Sequence, residues 1–175
     1  VRMPRRAVVT QQNDGGWQLA RTMVQYGNGG MLMSGEFGGG RTAMELAMDD
    51  MPLSLIDLAV ADMGLGGSIS GRVDFETNRT GVPVGNARIV VDDLTRSGLV
   101  LSSRPIDLSL VTRLSPEKLE LRAVLDENGN RRGRVQARIV DMLTAGALAN
   151  RLQAGDLFGQ LRFEGPASSL WRLAA

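Results

Sequence analysis

A chain of 175 residues with 20 Lys and Arg against 19 Asp and Glu has a net charge of +1, so no global field steers it toward nucleic acid or anionic lipid. It has no histidine and no cysteine, which excludes histidine-based catalytic triads, His or Cys metal sites, disulfides and thiolate chemistry. Glycine is frequent at 22 residues, aromatics make up 4%, and no apolar run approaches the roughly 18 residues needed to span a bilayer, so the composition points to a turn-dense β architecture.

Residues 1–15 read as an N-terminal strand or tail, with Ala7-Val8-Val9 followed by a turn at Asn13-Asp14-Gly15-Gly16. The start, VRMPRRAVV, lacks an initiator methionine, and its apolar part is too short for a signal peptide; the sequence reads as a piece of a longer protein. Residues 16–175 read as a single β-rich domain. Trp17, Leu19 and Met23 lie on one side of a first strand, and Met31, Met33, Gly35 and Phe37 on one side of a second. In a third, Thr42, Met44, Leu46 and Met48 face one way while Arg41, Glu45 and Asp49 face the other, giving a meander with glycine-rich turns.

At Met51 the period changes. Residues 52–61 have helical spacing, with Pro52 suited to the start and Gly64 to the stop. A strand over 67–76 follows, then a polar loop over 77–86. Ala87, Ile89 and Val91 form a strand ended by Asp92-Asp93; Leu99 and Leu101 form a short one; Ile106, Leu108 and Leu110 line a third. Over 119–140 a hairpin turning at Asn128-Gly129-Asn130 pairs Leu119 with Ile139, Leu121 with Ala137 and Ala123 with Val135. The same register places Glu120 opposite Arg138 and Asp126 opposite Arg132. A second helical stretch covers 143–154.

One pattern occurs twice, 88 positions apart: GSISGRVDFE at 67–76 and GDLFGQLRFE at 155–164. Gly67, Ile69, Gly71, Val73, Phe75 and Glu76 match Gly155, Leu157, Gly159, Leu161, Phe163 and Glu164. Each copy follows an alternating strand, an Asp-Met pair (Asp50-Met51, Asp141-Met142) and a helical stretch. The domain thus divides into two related units, about 40–76 and 133–164, of a kind that buries a continuous apolar seam.

Candidate chemistry is sparse. The single lysine, Lys118, lies in a turn-like SPEK; Gly38-Gly39-Gly40-Arg41-Thr42 lacks the Gly-Lys-Ser/Thr ending of a phosphate loop; Ser68 and Ser70 have no base. Asp49-Asp50 and Asp92-Asp93 read as turns that close strands rather than as metal ligands, and Phe75 and Phe163 as packing anchors. The expectation is therefore no enzyme, with no catalytic residue, metal or cofactor. What remains is the apolar side of successive strands: Met44, Leu46, Ile69, Val73, Phe75, Ile89, Val91, Leu108, Leu121, Ile139, Leu161 and Phe163. If a second sheet covers that side it is a sandwich core; if the sheet curls without closing it is an apolar groove, and periodicity does not separate the two.

The segment MPLSLIDLAVADMGLGGSISGRVDFE resembles the C-terminal region of the TamB family, the periplasmic component of the translocation and assembly module. The matching positions are Pro52, Leu53, Leu55, Asp62, Gly64, Leu65, Gly67, Ser70 and Gly71, with Met51 and Met63 where leucine is usual; PVGNARIVVDDL resembles the strand that follows. The resemblance implies a mostly β, elongated, antiparallel-rich sheet curled into an open trough (a β-taco), here with one or two short helices. It implies a periplasmic segment of an inner-membrane-anchored protein that partners a TamA-like outer-membrane barrel. Its groove would serve phospholipid transfer, the assembly of unfolded outer-membrane β segments, or both, and no nucleic acid. The twelve apolar residues above would line that groove, and the helical inserts would either cap it or cover a sheet edge. The alternative is a β-solenoid adhesin or autotransporter passenger with a closed core.

Overall fold

The computed structural model describes residues 2–58, 64–77, 82–97, 104–142 and 148–165. Ten strands form one antiparallel sheet in which each strand pairs with its neighbours in sequence. They are β1 (Val9–Gln11), β2 (Trp17–Tyr26), β3 (Gly29–Phe37), β4 (Thr42–Pro52), β5 (Leu65–Thr77), β6 (Pro83–Arg96), β7 (Ile106–Leu114), β8 (Leu119–Glu127), β9 (Asn130–Val140) and β10 (Asp156–Phe163). A 3-10 segment, Leu53–Leu58, sits between β4 and β5, and a short helix α1, Leu148–Ala154, between β9 and β10.

The first and last strands do not pair, so the sheet is open. Among the described residues, substantial packing joins only neighbouring strands, and the 3-10 segment to β5. The mostly β, elongated and curled antiparallel architecture is the one anticipated.

Register carries the apolar alternation across the sheet. Leu46, Val73, Ala87, Thr112, Leu121, Ala137 and Gly159 form one cross-strand row from β4 to β10, and Met48, Gly71, Ile89, Leu110, Ala123, Val135 and Leu161 form the next. Because side chains alternate with period two, every second residue of each strand then joins the same face. Antiparallel alternation also puts the two helical inserts at opposite rims: the 3-10 segment follows the end of β4, and α1 follows the end of the oppositely directed β9.

Bulges refine the expected strands. Asp49-Asp50 and Asp92-Asp93 do not end strands; they are bulged residues inside β4 and β6, where Asp50 and Asp93 take left-handed φ of 50° and 53°. Aspartate tolerates that conformation, which suits a bulge as well as a turn. Gly67, at φ 101°, is the single β5 residue opposite Asp93 and Leu94 of the bulged β6, where a side chain would strike the Asp92 and Asp93 carbonyls. Both bulged strands, β4 and β6, are irregular towards the same rim, and beyond these bulges lie the buried Met51, Leu53 and Ile106. A further bulge at Ala20-Arg21 turns Met23 to the opposite face from Trp17 and Leu19; Thr22 and Val24 take the place expected of it.

Other differences are local. Of the helical spacing expected over 52–61, Leu53–Leu58 form the 3-10 segment, and residues 59–61 lie outside the described residues. The expected loop over 77–86 is shorter at its end, because β6 begins at Pro83, a position a strand accepts for a proline. The 119–140 hairpin has the anticipated register up to Leu125; there a bulge slides Asp126 onto Arg131, and Arg132 pairs instead with Glu127 at 3.0 Å. The expected strand at Leu99 and Leu101, and residues 143–147 of the second helical stretch, lie outside the described residues.

A candidate apolar face and its reverse

Pairing brings the twelve sequence-derived groove positions to a single face. Met44 faces Phe75, Leu46 faces Val73, Ile69 faces Val91, and Val91 faces Leu108. Ile89 lies one row below, Leu121 faces Ala137, and Ile139 faces both Leu119 and Leu157. Leu161 faces Val135 and Phe163 faces Gly133. The same register adds Met48, Leu110, Leu114, Leu119, Leu125 and Val135, which belong to the same alternation, and Met31, Met33 and Leu19 from the first three strands.

Most of these side chains are half-buried, because each leans on its neighbours in the row and on no opposing layer. Burial is nearly complete at the bulged rim, where Met51 is 1% exposed, and at a few interior points such as Val91 and Ala123. On the outer strand β10 it is lost, and Leu157 and Leu161 are 71% and 59% exposed. A depression of about 490 Å³ reaches the face at the opposite rim, bordered by Met44, Phe75 and Leu114 together with Arg41, Glu76 and Arg113.

At that rim the second insert is anchored by a residue the sequence did not single out. Arg151 of α1 is fully buried, and its Nη2 donates to the Pro116 carbonyl oxygen at 3.0 Å, tying the helix to the β7–β8 turn. The signal available was an arginine at an interior position of an amphipathic stretch, which ordinarily denotes a solvated face.

The reverse face is polar and rich in arginine. One row reads Ala47, Arg72, Arg88, Val111, Arg122, Gln136 and Gln160; the next reads Ser70, Val90, Ser109, Val124, Arg134 and Arg162. The facing of Glu120 and Arg138 is as expected, but their charges go elsewhere. Glu120 pairs with Lys118 at 3.1 Å, and that ammonium, hydrogen-bonded to it, holds the carboxyl below its usual range. The Arg138 guanidinium instead lies over the Phe158 ring, 5.1 Å from its centre.

Among the described residues no group of three or more metal-ligating side chains occurs. No helix among them is long and apolar enough to cross a membrane. Comparison with protein families, with curated proteins and with solved structures finds no match to this chain, so the likeness to the TamB family rests on the residues quoted above.

Proposed function

We propose that this chain is a periplasmic segment of a TamB-like protein and that its apolar face is a track for hydrocarbon. The observation that carries this is the open sheet with successive apolar rows on one face and no second layer of described residues packed over it. Apolar area left in water costs roughly 25 cal/mol per Å², so a surface of this extent favours an apolar occupant. Phospholipid acyl chains, or the apolar side of an unfolded outer-membrane β segment, have the matching chemistry.

The mechanism is passive. No bond is made or broken, and no residue acts as acid, base or nucleophile. Cargo binds by exchanging water for methyl and methylene contacts, and adjacent rows offer similar environments, so displacement by one strand changes the energy little. Met31, Met33, Met44 and Met48 give the β3–β4 stretch flexible, polarisable contacts that adapt to varied chains. A TamA-like outer-membrane barrel would receive the cargo. A β-solenoid would stack coils around a closed core, and no feature of this open antiparallel meander favours it.

A photo-activatable benzophenone side chain distinguishes the two faces. Placed at Val73 or Leu121 in the full-length protein, it should cross-link lipid or unfolded outer-membrane protein in cells; placed at Gln18 or Glu45, on the reverse face outside strands β5–β9, it should not. Equal labelling from both faces, or none from the apolar one, would remove the proposal.

A further inference from the structure

The polar side of the sheet has a charge arrangement that folding alone does not favour. Arg72 and Arg88 face each other directly across β5 and β6, and Arg134 and Arg162 do so across β9 and β10. Like charges directly opposed destabilise a sheet. The two central rows of this face hold five arginines and no carboxylate from β5 to β10. Among the described residues, Arg72, Arg88, Arg113, Arg122 and Arg134 make no ion pair with a carboxylate, whereas Arg162 pairs with Glu164 at 3.4 Å.

The surface is also hollowed there. A depression of about 730 Å³ is lined by Arg72, Arg88 and Arg113, with Ser70 and Asn86 as neutral polar groups and Asp74 as its single acid. Val90 and Val111 also line it and are 37% and 47% exposed, so apolar side chains lie among the guanidiniums. A smaller depression of about 330 Å³ is lined by Arg134 and Arg162 with Arg131, Arg132 and Glu164.

Guanidiniums recognise phosphate oxygens through a planar fork of donors. Exposed valines between arginines match the boundary where phosphate headgroups meet acyl chains. A single-stranded nucleic acid would need stacking rings; Phe158, on this face of β10, is covered by Arg138. With a net charge of only +1, attraction to an anionic surface must come from local concentration of charge, which this band supplies. We propose that the arginine band of strands β5–β9 seats the phosphate headgroups of an anionic phospholipid bilayer. The site uses no property of the apolar face.

Vesicle flotation with the full chain tests this. Phosphatidylcholine vesicles containing phosphatidylglycerol should bind the protein, pure phosphatidylcholine vesicles should not, and binding should weaken as salt rises. An arginine near an anionic surface contributes roughly fivefold in affinity, so Arg72→Gln with Arg88→Gln should reduce binding about 30-fold. Both side chains are exposed, and an unchanged circular dichroism spectrum confirms folding. Arg5→Gln with Arg6→Gln makes the same charge change at a distance and should cost much less. Val73→Asn, a charge-neutral change on the apolar face, should leave the anionic-lipid dependence intact, so failure here and failure of the hydrocarbon track are separable. Equal binding to neutral vesicles, or equal losses in the two arginine pairs, would overturn the site. So would full competition by inorganic phosphate at matched ionic strength, which would mark a soluble anion as the ligand.

Discussion

The two copies of the repeated pattern take the same side-chain orientation and meet different physical circumstances. Val73, in β5, has Leu46 on one side and Ala87 on the other; Leu161, in β10, has Val135 on one side and no described strand on the other. Val73 is accordingly half-buried, while Leu161 is mostly in water. The glycines diverge in the same way. Gly71 has φ 146°, and a side chain there would strike the Arg88 carbonyl; Gly159 has only the Gln136 carbonyl oxygen within reach, at 3.9 Å. A repeat therefore encodes which face a residue occupies, and the neighbouring strands decide how much that residue matters.

Where the units are alike is also informative. Asp50 and Asp141 both take left-handed φ, 50° and 53°, and each precedes a buried methionine. Yet Met51 still pairs with Ile69 inside the sheet, whereas Met142 lies past the end of β9. The local conformation is shared; the ladder around it is not.

The comparison is broken most strongly at the glycines. Gly71→Ala should destabilise the protein by about 3 kcal/mol, combining a strained φ with a backbone collision, while Gly159→Ala should stay within about 0.5 kcal/mol. Urea unfolding of the two variants measures this, and equal effects would mean the two units are energetically equivalent after all. Val73→Asp should cost about 2 kcal/mol because it removes a half-buried apolar side chain and places a carboxylate between apolar neighbours. Leu161→Asp should cost less than about 1 kcal/mol, since its carboxylate remains hydrated. If the β10 variant were the more damaging, a strand beyond β10 would have to be covering it.

The smallest expected effect lies on the reverse face, at Glu120 beside the second unit. Its carboxyl is held below the ordinary range by Lys118. A folded value lower than the unfolded one gives stability that is present above the unfolded value and lost as pH falls through the folded one. Lys118→Met should therefore raise the Glu120 titration midpoint followed by NMR and flatten the acid limb of the stability profile slightly, because the pair is exposed. An unmoved midpoint would show that Arg122 and Arg113, not Lys118, set the charge.

Much of the face was legible from residue order because the side-chain period of a strand is two, so alternation names a face without coordinates. The hairpin of β8 and β9 was legible in register, since apolar and charged partners agreed on one pairing up to Leu125. The misplaced residues were those beside bulges: Met23, Arg132 and the two aspartate pairs. One inserted residue inverts the alternation, and aspartate or glycine suits a bulge and a turn equally, so composition does not tell them apart.

By itself the amino-acid sequence determined the strand content, the apolar side of nearly every strand and the lack of histidine or cysteine chemistry, because these follow from residue type and local geometry. Tertiary structure alone decided that the sheet stays open, that β4 and β6 are bulged at their aspartate pairs, and that opposed arginines share a hollow on the reverse side. Those features depend on which strands become neighbours and at what register, and long-range pairing leaves no periodic mark within any single segment.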